Sequence, residues 1–336
     1  MLTKKDMAIV IATYNRHEEV ERTLKIMKKN RNVPKIIFII DQSKDGKTKG
    51  IVKSYSSSLP VHYVLLKTPS SSIAKNIGIN KSKKAGAKLI LIVDDDVDLN
   101  LGYLNTMLYE FNSNPELMGA TASDVPENYK LHSLKNILAN IYFKFFFLPH
   151  KEDHKFRMLS PYGNTSSPIV NKTISDAAWL LGFNMCYRAE VFRDYKMPES
   201  RGYNVLEDID SSYYTFKKYG SGSLAVLPSG LVWHRFSPTA RYEEKKRIFV
   251  NHEDHFYFYY TYFKSSLDTF KFYWSILGIL IGNSFRLISK PKKENYLHLK
   301  YIIQAIAYCY KHRNEIKNGK LRKFLNDDLS MKEKLL

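Results

Sequence analysis

Cysteine is scarce in this sequence. Cys186 and Cys309 are the only two in 336 residues, and they form no C-x-x-C pair. That excludes a disulfide framework and a cysteine metal site, and a reducing compartment is expected. A glycine-rich phosphate loop is missing too, since TYNRHEEV, residues 13–20 after the first apolar segment, holds no glycine. This argues against a nucleotidyltransferase acting on sugar phosphates, which needs such a loop on a similar sheet. No apolar run reaches the roughly 20 residues of a spanning helix. FYWSILGILIGNSF, Phe272 to Phe285, has 14 and fits a core or interfacial helix. The N-terminal run Met7 to Ala12 has six and is too short for a signal-peptide core. A cytoplasmic protein, at most peripheral on the cytoplasmic face of a membrane, is expected.

Acidic residues are also few, 33 against 52 lysines and arginines, for a net charge of +19. The excess favours polyanionic partners: nucleic acid, an anionic membrane or phosphorylated small molecules. A non-enzymatic polyanion binder would account for the charge. It would not account for acids gathered in clusters, which repel phosphate unless a metal is present, so nucleic acid is not expected.

The densest cluster is LILIVDDDVDL, residues 89–99. Leu89 to Val93 read as an interior strand covered on both faces. Asp94, Asp95 and Asp96 at its end repel one another unless something cationic sits there, and a divalent metal with oxygen ligands is the simplest candidate. Capping of the following turn is the other reading.

The first hundred residues alternate short apolar runs with helical patterns. Strands are expected at 7–12, 35–41, 61–66 and 89–93. Val20, Leu24 and Met27 mark one face of a helix, and Ile73 with Ile77 mark another that ends at Gly86. This alternation predicts a parallel, doubly wound sheet, and such sheets bind ligands beyond the carboxyl ends of their strands. Residues 150–175 read as a long loop. Patterning returns at AAWLLGFNMCYRAEVF, at a helix over 209–219 and at a last strand, SLAVLPSGLVWH; from about Arg241 the pattern is helical.

In order along the chain stand IVIATYNR, a strand-end Asp in IIDQSKD, AKNIG, the DDD triplet, LEDID and a strand ending in WH. Together they resemble the family 2 glycosyltransferases of the GT-A fold, over about residues 7–236. The resemblance implies an α/β fold with a Rossmann-like, mostly parallel nucleotide-binding sheet, helices on both faces and a C-terminal helical extension. It implies a catalytic domain over 1–240, with a nucleotide-sugar half to about 125 and an acceptor half over about 126–240, followed by the extension at 241–336. The activity implied is metal-dependent, inverting transfer from a nucleoside-diphosphate sugar, UDP-linked, to a hydroxyl of a glycan or lipid-linked acceptor.

Carried over by residue, the resemblance implies that Thr13, Tyr14, Asn15, Arg16 and Asp41 line the base and ribose. Gln42 and Ser43 stand where relatives often have an acid and a glycine. Lys75 and Asn76 take the place of an Arg-Asn pair; the lysine is a point charge without the bidentate fork, and a solvated helix face is its other reading. Asp94 would contact donor and metal, Asp95 would assist at the donor, and Asp96 with His234 would hold Mn²⁺ or Mg²⁺, which carboxylates and imidazole suit. A structural histidine beside Trp233 is the alternative, and Arg235 reads equally as a phosphate contact or a surface residue.

Asp208 is implied as general base and Glu207 as the residue that orients the acceptor; both could instead complement a helix dipole. Gly182 and Asn184 resemble the acceptor-side segment, where Trp179 reads equally as a sugar platform or as core. Residues 241–336 carry 19 basic and 10 acidic side chains. Together with their aromatics, and with the Lys144 and FFF region, this composition predicts contact with an anionic membrane surface, or equally a helical layer packed on the sheet.

Overall fold

A computed structural model describes residues 1–67, 69–124, 134–151, 155–167, 169–199, 206–237 and 243–320. The predicted alternation is present: β1 (Met7–Thr13), α1 (His17–Lys29), β2 (Ile36–Asp41), α2 (Lys47–Tyr55), β3 (Val61–Leu65), α3 (Ser71–Lys84) and β4 (Leu89–Asp94). There follow β5 (Val97–Leu99), α4 (Tyr103–Ser113), β6 (Gly119–Asp124), α5 (Leu134–Phe145), β7 (His150–Lys151), β8 (Met158–Ser160) and β9 (Gly163–Ser166). Then come β10 (Asn184–Arg188), α6 (Val191–Asp194), α7 (Glu207–Tyr219) and β11 (Leu224–His234). Four helices complete the described chain: α8 (Glu244–Tyr262), α9 (Ser266–Ser289), α10 (Lys293–Lys311) and α11 (Arg313–Lys317).

Eight strands make one sheet in the order β3-β2-β1-β4-β10-β6-β11-β5. The pairs β1·β2, β1·β4, β2·β3 and β6·β11 are parallel, while β10 and β5 run against their neighbours. The carboxyl ends of β1, β2, β4, β6 and β11 therefore meet at one rim. The register Thr13↔Asp41 and Ala12↔Asp94 brings the polar strand ends level with one another.

The apolar strands are covered on both faces, which explains why they do not alternate. One face packs Ile9, Ile11 and Leu91 against Val20, Leu24 and Met27 of α1, as the helical spacing predicts. The other face receives α3, and here the structure differs from the sequence reading. Ser72, Ala74, Gly78, Ile79 and Ser82 are buried, whereas Ile73 and Ile77 are only partly covered. Small residues win because α3 lies so close to β1 that a β-carbon at Gly78 would come within 2.2 Å of a Val10 methyl.

Residues 150–175 are not loop throughout: among the described residues, β7, β9 and β8 form a second, three-stranded sheet. Its turn is tight, since a β-carbon at Gly163 would collide with the Phe147 carbonyl, to which the Ser160 hydroxyl donates. Tyr162 from this region, with Phe146 and Leu148 just before it, shares a core with Phe256, Phe272 and Ile302 of the C-terminal helices. The segment before β10 and the helical extension thus pack as one layer.

Candidate functional site

β4 ends at Asp94, and Asp95 and Asp96 make the turn into β5. Three carboxylates in sequence cannot all point one way, and they diverge. Asp95 turns inward and accepts hydrogen bonds from Thr13 Oγ1 at 2.6 Å and Arg16 Nη1 at 2.7 Å. Asp96 accepts from the Ser237 N–H at 2.9 Å and from Arg16 Nη2 at 3.3 Å. Asp94 remains half-exposed, with Lys75 Nζ 3.9 Å away. The triplet is therefore compensated in part by the protein's own cations, Arg16 and Lys75.

β11 pairs antiparallel with β5 in the register His234↔Val97, which sets His234 beside Asp96. Its Nε2 lies 3.1 Å from Asp96 Oδ1. The imidazole stacks between Phe183 and Phe236, at centroid distances of 4.8 and 4.1 Å, and its buried Nδ1 has no hydrogen-bond partner. Stacking thus orients a ring that a second hydrogen bond would usually hold. One ligand atom from each of Asp94, Asp96 and His234 falls within 4.8 Å of the others, the one such group among the described residues. Two carboxylates and an imidazole fit a divalent ion that accepts oxygen and nitrogen donors.

Burial pushes the Asp95 carboxyl up to about 7, against the pull of Arg16 and Thr13. Burial acts on Asp96 in the same sense, but the His234 hydrogen bond and charge, Arg16 and the Ser237 N–H outweigh it and bring that carboxyl down to about 2. Desolvation also raises Asp94, with Lys75 opposing.

On the other side of Asp94 stands a second group. Ser70 caps α3, accepting from the Ile73 N–H, so Lys75 sits in the helix's early turns facing the rim. It is buried, not part of a solvated helix face, and pairs with Glu207 in the first turn of α7. Glu207 also accepts from the Ser71 hydroxyl at 2.9 Å. Asp208, the next residue, is half-buried and accepts from the Ile209 N–H at 2.8 Å. Desolvation pushes its carboxyl up to about 6, with help from the Glu207 charge and against Lys75. Gly182 faces it closely: a β-carbon there would lie 2.6 Å from Asp208 Oδ2.

Most of the other residues singled out in the sequence are engaged by neighbours within the protein. Asp41 is buried, accepting from the Ser43 N–H at 2.9 Å and the Tyr63 hydroxyl at 2.9 Å. Asn76 holds Met197 through both its amide atoms. Asn184 is buried and extends the β10·β6 ladder, bonding Ala122 N–H and C=O and the Tyr103 hydroxyl. Trp179 belongs to the core, its ring against Phe156 and its indole N–H on the Thr165 carbonyl. Tyr14 is 40% exposed, and Asn15 takes a left-handed φ of 55° with its N–H on the Ser43 hydroxyl.

Sequence reasoning missed a supporting network. Arg235 is not a surface residue: its side chain is buried, and its guanidinium pairs with Asp98 and Glu19 and donates to the Asp95 carbonyl. Asp124, ending β6, accepts from the His234 N–H at 3.2 Å. A cavity of about 700 Å³ lies beside His234, lined among others by Asp124, Phe156, Ser166, Phe183 and Phe236. The only trace in the sequence is aromatics beside GFN and WHRF; the stacking itself depends on strands far apart in the chain.

Residues 8–169 match the family model described as Glycosyl transferase family 2. No curated protein matches the chain. Among solved structures, it is similar to S. aureus TarS 1–349 in complex with UDP-GlcNAc, at 14% identity over 89% of this chain and 79% of that one, with a TM-score of 0.55. It is also similar to the mannosyltransferase PcManGT from Pyrobaculum calidifontis in complex with GDP-Man and Mn²⁺, at 11% identity over 90% of this chain and 86% of that one, with a TM-score of 0.53. At such identities the likeness is one of fold, and the fold is the expected GT-A arrangement.

Proposed function

This chain is an enzyme of the glycosyltransferase type, of family 2 over residues 8–169, and on that premise we propose that it transfers a sugar, with inversion, from a nucleoside-diphosphate sugar to an acceptor hydroxyl. The observation that carries the reading is the rim itself. A three-ligand group, Asp94, Asp96 and His234, stands on one side of Lys75, and a carboxylate raised to about 6, Asp208, on the other. A nucleoside diphosphate leaves slowly unless its growing charge is neutralised. Asp94, Asp96 and His234 would hold a divalent ion, Mn²⁺ or Mg²⁺, which when bound would supply that neutralisation.

The remaining work falls to side chains of this chain. Asp208 takes the proton of the acceptor hydroxyl while its oxygen bonds to the sugar's anomeric carbon and the bond to the diphosphate breaks. One base and direct displacement invert the anomeric centre. Lys75 faces the diphosphate, and Glu207, its buried partner, acts as a positioning residue for that lysine. Arg16, Thr13 and Asp95 brace the turn that carries Asp96. Tyr14, Asn15 and Asp41 lie on the nucleotide side.

The donor is read as a UDP-sugar, and the acceptor as a glycan or lipid-linked hydroxyl entering by the cavity beside His234. Residues 1–240 form the catalytic part and 241–336 an extension that contacts an anionic membrane on its cytoplasmic face. A screen of nucleotide sugars with and without Mn²⁺, following release of nucleoside diphosphate, tests the reading. If none binds under either condition, it falls.

A further inference from the structure

One helix among the described residues, α9 (Ser266–Ser289), is long and apolar enough to cross a membrane by length and composition, yet only 22% of its most apolar window is buried. Its inner side is tied down. Phe272 stacks on Tyr259 at 4.1 Å, the Trp274 indole N–H donates to the Phe145 carbonyl, and the Gly278 carbonyl accepts from the Tyr142 hydroxyl. A β-carbon at Gly278 would meet the Phe146 ring at 2.5 Å, so α5 lies directly on α9. Crossing a bilayer would strip these contacts from the domain.

The outer side is different. Phe270, Leu277 and Ile288, which share one side of α9 at spacings of 7 and 11, are 54, 42 and 76% exposed. Leu138, Ile141 and Phe145 make the matching stripe on α5, at 61, 60 and 60%. Single exposed apolar residues are ordinary, but two adjoining stripes on packed helices are a surface. A groove of about 800 Å³ flanked by Tyr142, Phe143 and Phe285 indents it.

We infer that the α5–α9 face lies in the headgroup layer of an anionic membrane, parallel to it. The charges select this occupant. Residues 264–293 hold six basic side chains and one acidic, and residues 134–151 hold three lysines and no acid. A second copy of the chain on this face would bring one cationic rim against another, whereas an anionic surface complements it. The inference rests on the membrane contact proposed above and gives it a surface. The β8·β9 hairpin runs between this face, through Tyr162, and the cavity beside His234, through Ser166, so docking sets that cavity near the headgroups.

Cosedimentation of the full chain with phosphatidylcholine vesicles, with and without phosphatidylglycerol, tests it, alongside the double variant Ile141→Asp/Leu277→Asp. The expected result is binding about tenfold stronger to anionic than to neutral vesicles, reduced about tenfold or more in the variant, with circular dichroism and nucleotide binding unchanged. Three results would overturn the inference: no vesicle binding by the parent, equal binding by parent and variant, or light scattering that shows a dimer which the variant dissolves without any vesicle binding. Loss of nucleotide binding in the parent would count against the catalytic reading and not against this surface.

Discussion

Gly182 is where the backbone makes room for Asp208: a β-carbon at that position would sit 2.6 Å from the Asp208 carboxylate oxygen and 2.9 Å from its β-carbon. The Gly182→Ala variant must move Asp208. A positioned base loses efficiency steeply with small displacements, so kcat falls about tenfold to a hundredfold while nucleotide binding is kept. Steady-state kinetics beside a calorimetric titration of the nucleotide separate the two.

With Asp208 as the proposed base, transfer is expected to show an acid limb. Its carboxyl is pushed up to about 6 by desolvation, so the base is protonated below that pH, and the rate rises as pH passes through about 6. In Asp208→Asn the limb disappears with the activity, and donor binding stays. The same shift has a stability sign. A carboxyl raised in the folded state costs stability above its unfolded value, so the Asn variant melts higher than the parent at pH 7.5. A parent-like rate in this variant would show that another group is the base.

Asp96 and His234 should separate by severity. Asp96 also anchors Arg16 and the Ser237 N–H, whereas the His234 ring bonds Asp96 and stacks on Phe183 and Phe236. Asp96→Ala therefore abolishes Mn²⁺-dependent donor binding, and His234→Ala weakens it about tenfold to a hundredfold. Chelation of the metal from the parent reproduces the Asp96 result, and Mn²⁺ titration by calorimetry reads all three.

Lys75 and Glu207 are both buried, so breaking their pair leaves an uncompensated charge. Glu207→Gln or Lys75→Met destabilises by about 3 to 5 kcal/mol, and the double variant recovers much of that loss. Denaturant titration of the four proteins closes the cycle.

Far from the rim, His252 is buried with Nδ1 on the Tyr162 hydroxyl at 2.7 Å, and desolvation lowers its pKa to about 3. The neutral ring is favoured in the folded state, so its contribution is intact above about 6.5 and is lost as pH falls toward 3. The melting temperature of the parent therefore declines relative to His252→Gln between pH 7 and 4, and thermal scans at each pH measure the difference.

The local readings that held share a cause. Unbroken apolar runs such as LILIV and the 20-24-27 spacing in α1 report burial that any packing of a doubly wound sheet must satisfy. Where the reading went astray, the decisive contact lay elsewhere in the chain. Ile73 looks like part of the packing face of α3 until Val10 demands small residues there, and only Ile77 of the two reaches the core. Arg235 has no address until Asp98 and Glu19 come to it.

By itself the sequence determined which strand ends are polar, that the acids cluster among them, and that a basic, aromatic helical region follows. Tertiary structure decided the partners: that Asp95 turns inward to Arg16 while Asp94 and Asp96 meet His234, that Glu207 belongs to Lys75, and that α5 lies on α9 with an apolar side outward. The reason is one of range. Periodicity and strand-end chemistry are set by neighbours along the chain, whereas the direction of a buried charge depends on which opposite charge arrives there, and that is fixed only when strands distant in sequence pair.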